Sequence, residues 1–99
     1  MVKHVVMFKF REDVDAATRD EVARSFKSAI EALPAKIGFI RHVEVGRNVN
    51  SDERFDVALY SEFDTLADVK AYAVHPGHVA ASGIIKPFVE ARACVDYEI

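Results

Sequence analysis

The first strand limits the fold more than any other stretch of this chain. In residues 2–10, Val-Lys-His-Val-Val-Met-Phe-Lys-Phe, alternation puts His4, Val6, Phe8 and Phe10 on one face and Lys3, Val5, Met7 and Lys9 on the other. Apolar side chains stand on both faces, so the strand needs cover on both sides. Helices drawn from one short chain cover a single face of a small sheet, and the second cover has to come from elsewhere. A chain of 99 residues buries only about 60–65% of its unfolded surface by itself, which makes a second copy the natural source.

A helix follows, with either Asp15 or the pair Thr18 and Glu21 as its N-cap. Val22, Phe26, Ala29, Ile30 and Leu33 fall on one helical stripe, and Pro34 ends it. Residues 39–45 and 55–63 alternate as strands on either side of a polar turn at 46–52; Phe55, Val57, Leu59, Ser61 and Phe63 share a face. Thr65 and Asp68 signal the start of a second helix, with Leu66, Val69, Tyr72 and Ala73 on its inner stripe. His75-Pro76-Gly77 breaks it, and a short helix is expected to restart toward residues 84–89. Residues 91–99 form the last strand, where Cys94 reads as a small core hydrophobe.

Strand, helix, strand, strand, helix, strand within one domain, residues 1–99, has one common compact solution. It is α+β and ferredoxin-like: βαββαβ, a four-stranded antiparallel sheet with the helices on one face. The open face then carries Val5 and Met7, with Ala93, Val95, Tyr97 and Ile99 from the last strand. Burying several hundred Å² of such surface per subunit, at about 25 cal/mol per Å², supplies on the order of 10 kcal/mol before association costs. The expected partner is therefore the chain itself, as a homodimer pairing two sheets into an α+β barrel.

Thirteen basic against sixteen acidic residues leave a net charge of −3 without a basic patch, which argues against nucleic acid as a partner. The apolar start is short and interrupted by Lys3 and Lys9, so neither a membrane span nor an export signal is expected. A single cysteine gives no internal disulfide and no zinc grid, which suits a reducing, cytoplasmic setting with no cofactor.

Four pieces in order carry a family resemblance: the opening Val-Lys-His-Val-Val-Met-Phe-Lys-Phe, Val-Glu-Val-Gly-Arg-Asn at 43–48, the break Tyr72-Ala-Val-His75-Pro-Gly-His78, and the terminal Val95-Asp96-Tyr97. Across essentially the whole chain they resemble the stress-responsive A/B barrel (Dabb) family. The resemblance implies a dimeric α+β barrel with the sheets facing inward and the helices outside. It implies little about activity, because most bacterial members have no assigned reaction.

One branch of that family, a plant polyketide cyclase, uses a histidine and a tyrosine in the segment that Tyr72-x-x-His75-Pro-x-His78 resembles, so the resemblance assigns catalytic roles to His78 and Tyr72. A neutral His78 would remove a proton beside a carbonyl, the Tyr72 hydroxyl would hydrogen-bond the enolate oxygen, and an intramolecular aldol closure would follow. His4, Val6 and Phe8, with Phe26, Leu59, Ile84 and Phe88, would line a cavity for a small apolar or carbonyl ligand. The same stripes also suit a solid core. Pocket positions that are aromatic or polar in the plant enzyme are Phe26, Val57 and Val89 here, which implies a different or smaller ligand. His75 and His78 lack a third donor nearby in sequence, so no metal is expected, and His75 is read as a helix-terminus residue bonding the last carbonyls.

Three function classes follow. The first is a homodimeric domain of the stress-responsive type that binds a small molecule without catalysis. The second is a polyketide-cyclase-like enzyme working through His78 and Tyr72. The third, on fold analogy alone, is a cofactor-independent monooxygenase.

Overall fold

The computed structural model describes all residues, Met1–Ile99. They form β1 (Val2–Phe10), α1 (Ala16–Glu31), β2 (His42–Arg47), β3 (Val57–Phe63), α2 (Leu66–Val74), α3 (Pro76–Ile85) and β4 (Val89–Glu98), with short 3-10 turns at Leu33–Ala35 and Lys86–Phe88. The strands make one antiparallel sheet in the order β2-β3-β1-β4, the ferredoxin-like arrangement. β1 and β3 are the two central strands, β1 lying between β3 and β4. His4 stands opposite Ser61 and Asp96, Val6 opposite Leu59 and Cys94, and Val5 opposite Tyr60 and Val95.

The core fills the space between one sheet face and the helices. Val6, Phe8 and Phe10 from β1 and Leu59 and Phe63 from β3 pack against Val22, Phe26 and Ile30 of α1, with Tyr72 and Ile85 closing the layer. Phe8 and Phe26 meet edge to face, with centroids 5.4 Å apart. Of the two cap choices for α1, Asp15 is the one used: the Thr18 N–H donates to its Oδ1 at 2.7 Å, and Thr18 sits inside the first turn. The β2 ladder begins only at His42, opposite Glu62; Phe39 and Ile40 fall in the connection before it, with Ile40 buried.

The break after α2 differs from expectation in two respects. Pro76 both stops one helix and starts the next, because its fixed φ suits the first helical position, so α3 runs ten residues from the break itself. The His75 backbone is extended, and its Nδ1 accepts the Gly77 N–H at 3.0 Å, so the ring caps the start of α3 rather than the last carbonyls of α2. Gly77 is closely approached at this point: a Cβ there would lie 3.1 Å from Leu33 and 3.3 Å from the His75 ring, so those side chains would have to give slightly.

The open face follows the expected parity, with Met7 40%, Val95 60%, Tyr97 43% and Ile99 81% exposed. Its apolar part is confined to the β1/β4 half. On the other half Lys3 reaches Glu62 at 2.7 Å, the Tyr60 hydroxyl donates to the same carboxylate at 2.5 Å, and His42 bonds Glu44. Cys94 corrects the sequence reading: it is exposed, because β4 is an edge strand and no helix reaches over it. No helix is long and apolar enough to cross a membrane.

Candidate active site

On α3, His78, Ser82 and Ile85 recur at i, i+4 and i+7 and so project from one helix face. Beneath them β1 presents His4, Val6 and Phe8, α1 presents Phe26 and β3 presents Leu59. These side chains enclose a cavity of about 470 Å³, within the range of small-molecule pockets. Its outer wall is Ala73, Lys86, Val89 and Arg92.

Of the residues expected to line a cavity, His4, Val6, Phe8, Phe26 and Leu59 do so, and His78 joins them. Ile84 does not. It faces a separate cleft with Leu33 and Gly77, while its neighbour Ile85 takes the cavity position. The misplacement follows from starting the helix too late: counting from Pro76 gives the 78, 82, 85 face, the signal that would have found Ser82 and Ile85. Phe88, in the 3-10 turn before β4, is half-buried against the core and does not reach the cavity. Val57 is fully in the core, whereas Val89 lines the cavity. Lys86 and Arg92 carried no local signal in the sequence.

Tyr72 lies behind the wall. It is 0% exposed, with its ring centroid 4.3 Å from that of His78, 5.0 Å from Phe63 and 6.2 Å from His4. Its hydroxyl is buried without a hydrogen-bond partner, and burial pushes its pKa up, so it keeps its proton and is a hydrogen-bond donor at every physiological pH.

His78 is oriented by the backbone. Its Nδ1 lies 3.1 Å from the Ala73 carbonyl oxygen. A carbonyl only accepts, so Nδ1 carries the hydrogen and Nε2 presents the lone pair. Burial pushes the His78 pKa below its ordinary 6.5, the charges of His4, Arg92 and Lys86 push the same way, and the Ala73 carbonyl opposes them. The ring is therefore neutral, with a free basic nitrogen, at pH 7. His4 is fixed differently: its Nδ1–H donates to the Asp96 carboxylate across the β1/β4 ladder.

One grouping of three metal-type donors exists that sequence spacing did not bring together. His4 Nδ1, Cys94 Sγ and an Asp96 oxygen all lie within 4.8 Å of one another, a nitrogen, sulfur and oxygen set of the kind that suits a borderline-soft divalent ion. The same Nδ1 serves both Asp96 and Cys94, at 3.7 Å from the sulfur. The three are therefore not a nucleophile–base–acid relay, which needs the two ring nitrogens to face different partners. Burial and the Asp96 charge push the Cys94 thiol up, against a thiolate nucleophile. His75, turned to the Gly77 N–H, forms no ligand pair with His78.

Comparison with known proteins bears on these features. The family model described as Stress responsive A/B Barrel Domain matches residues 2–99. Over 99 residues the chain is 24% identical to olivetolic acid cyclase of Cannabis sativa, spanning 97% of this chain and 94% of that protein. A crystal structure of a dimeric protein of unknown function with a ferredoxin-like fold, from Bacteroides fragilis, matches at TM-score 0.97 and 59% identity, covering 99% of this chain and 95% of that one. A hydroxynitrile lyase from Passiflora edulis shares the fold at TM-score 0.74 and 16% identity, covering 99% and 92% of the two chains.

Proposed function

The chain belongs to the stress-responsive A/B barrel domain family, and from that premise we propose that it works as a homodimer whose cavity beside His78 binds a small carbonyl compound and transfers a proton on it. The pairing is supported by the dimeric relative from Bacteroides fragilis at 59% identity and by the exposed Met7, Val95 and Tyr97 on the open sheet face. The cavity lies on the opposite, helix-covered face, so pairing through the open face leaves it accessible. The cyclase relative supports carbonyl chemistry.

The chemistry is an isomerisation that needs no oxidant and no second reactant. Nε2 of His78 takes a proton from the carbon next to a carbonyl; the Tyr72 hydroxyl, unpartnered behind the cavity wall, donates a hydrogen bond to the developing enolate oxygen only once ligand binding opens that wall. The enolate carbon bonds to a second carbonyl carbon of the same molecule, whose oxygen recovers the proton from the His78 imidazolium. Val6, Phe8, Phe26 and Leu59 exclude water and hold the chain folded on itself.

The observation that carries this reading is the fixed His78 ring, with Nδ1–H on the Ala73 carbonyl and Nε2 free at an apolar cavity. Turnover of a β-keto compound should fall by about 10²–10⁴ in His78→Ala, with circular dichroism and oligomeric mass unchanged. Turnover indifferent to that substitution would refute it. One observation favours binding without catalysis: Tyr72 is 0% exposed and separated from the cavity by its wall. In that reading there is no turnover for His78→Ala to remove, and the substitution alters only how the cavity holds its ligand.

A further inference from the structure

The cavity wall carries Lys86 and Arg92 but no aspartate or glutamate. Neither cation is in an ion pair, although Lys3, Lys9, Lys27, Arg19, Arg41 and Arg47 each reach a carboxylate. Both stand close enough to His78 for their charges to be felt by its ring. Asp96, which adjoins the wall through His4, is already bonded to the His4 Nδ1–H. Two unmatched positive charges thus meet at the edge of an apolar cavity in a chain whose net charge is −3, so the local preference for an anion runs against the charge of the molecule as a whole.

We propose that the cavity takes an amphipathic carboxylate, with its carboxylate between Lys86 and Arg92 and its apolar body against Val6, Phe8, Phe26 and Leu59. The proposal rests on the cavity being a ligand site, as in the reading above, and names the class of compound that enters it. Lys86 and Arg92 are exposed and hydrated in the free protein, so leaving them unpaired costs little. The Arg92 guanidinium offers a planar fork that matches a carboxylate, and Lys86 adds a point charge. Together they also neutralise the ligand's charge, so that it does not draw a proton onto His78 and disable the base.

Isothermal titration of the full chain with octanoate, octan-1-ol and octylamine tests this without any turnover. Octanoate should bind at least tenfold more tightly than the alcohol, and octylamine more weakly than either. Lys86→Gln with Arg92→Gln should weaken octanoate at least tenfold while moving octan-1-ol less than threefold. Both side chains are exposed, so the fold should persist. As a second check, Arg92→Glu should lower the octanoate-to-octylamine preference at least tenfold. Equal binding of octanoate and octan-1-ol, an unchanged preference in these variants, or no saturable binding of octanoate would overturn the proposal. Selective octanoate binding together with turnover indifferent to His78→Ala would instead sink the catalytic reading and leave this one standing.

Discussion

Tyr72→Phe removes one oxygen and asks what it does. The ring is fully buried against His78 and Phe63, and the hydroxyl has no partner. Desolvating such a hydroxyl costs about 1–3 kcal/mol, a cost the phenylalanine does not bear. Against this, the small void left by the oxygen forfeits contacts worth up to ~1 kcal/mol. The ring burial itself is unchanged, so the net expectation is a stabilisation of about 1 kcal/mol. At ~2.1 cal/mol/K per residue, the 99-residue chain has an unfolding entropy near 0.2 kcal/mol/K, and Tm should rise by about 5 °C. Urea denaturation at one fixed protein concentration checks it, because dimerisation makes apparent stability depend on concentration. The midpoint should rise with the m-value unchanged. If Tyr72 is the enolate donor, the same variant should lose roughly 10²–10³ in kcat, a gain in stability at the expense of activity. A variant less stable than the parent by 1 kcal/mol or more would mean that the hydroxyl is satisfied in the native protein, and the reasoning fails. A stabilised variant with full turnover would remove Tyr72 from the chemistry while leaving the burial argument intact.

Three further outcomes are expected. Burial holds the folded His78 pKa below its ordinary 6.5, so between those two values the unfolded chain binds more protons; stability is complete above 6.5, falls as pH drops through that window, and rises with pH across it. The acid limb of kcat/KM should likewise lie below 6.5, and a limb above pH 7 in a pH–rate profile would contradict a desolvated base. Val95→Asp places a charge beside Val5 on the open face, where Val95 is 60% exposed; light scattering after size exclusion should show a folded monomer, and an intact dimer would move the interface off this face.

How much was legible depended on what each signal encodes. Alternation in residues 2–10 and 57–63 has period two, and it assigned every β1 and β3 side chain to the right face, including the inward His4. Alternation says which face a residue is on, not whether anything covers that face. Parity alone therefore puts Cys94 in the core, whereas it shares the helix-side face with Val6 but sits on the edge strand beyond the helices. The α3 error has a different origin. Taken only as a stop, Pro76 delays the helix, and a helix begun late carries the wrong phase, which exchanges Ile84 for Ile85 and hides Ser82. Lys86 and Arg92 flank the start of β4 and come together with His78 only in the lining of the cavity, a tertiary fact with no local trace.

β4 ties the candidate site to the surface proposed for pairing. Arg92, Cys94 and Asp96 stand on the side that faces the cavity and His4, while Ala93, Val95 and Tyr97 stand on the open side. One register with β1 fixes both sets, since His4 lies opposite Asp96 and Val5 opposite Val95. A slip of one residue would put Val95 against His4 and turn Arg92 and Asp96 onto the open face, with no intermediate setting. β1 cannot follow such a slip, because it is held on its other edge by β3, where Val6 lies opposite Leu59 and Phe8 opposite Val57, all buried. Covering the open face therefore steadies the register that presents Asp96 to His4 and Arg92 to the cavity, and in this fold the geometry of the candidate site and the proposed pairing of subunits depend on the same ladder.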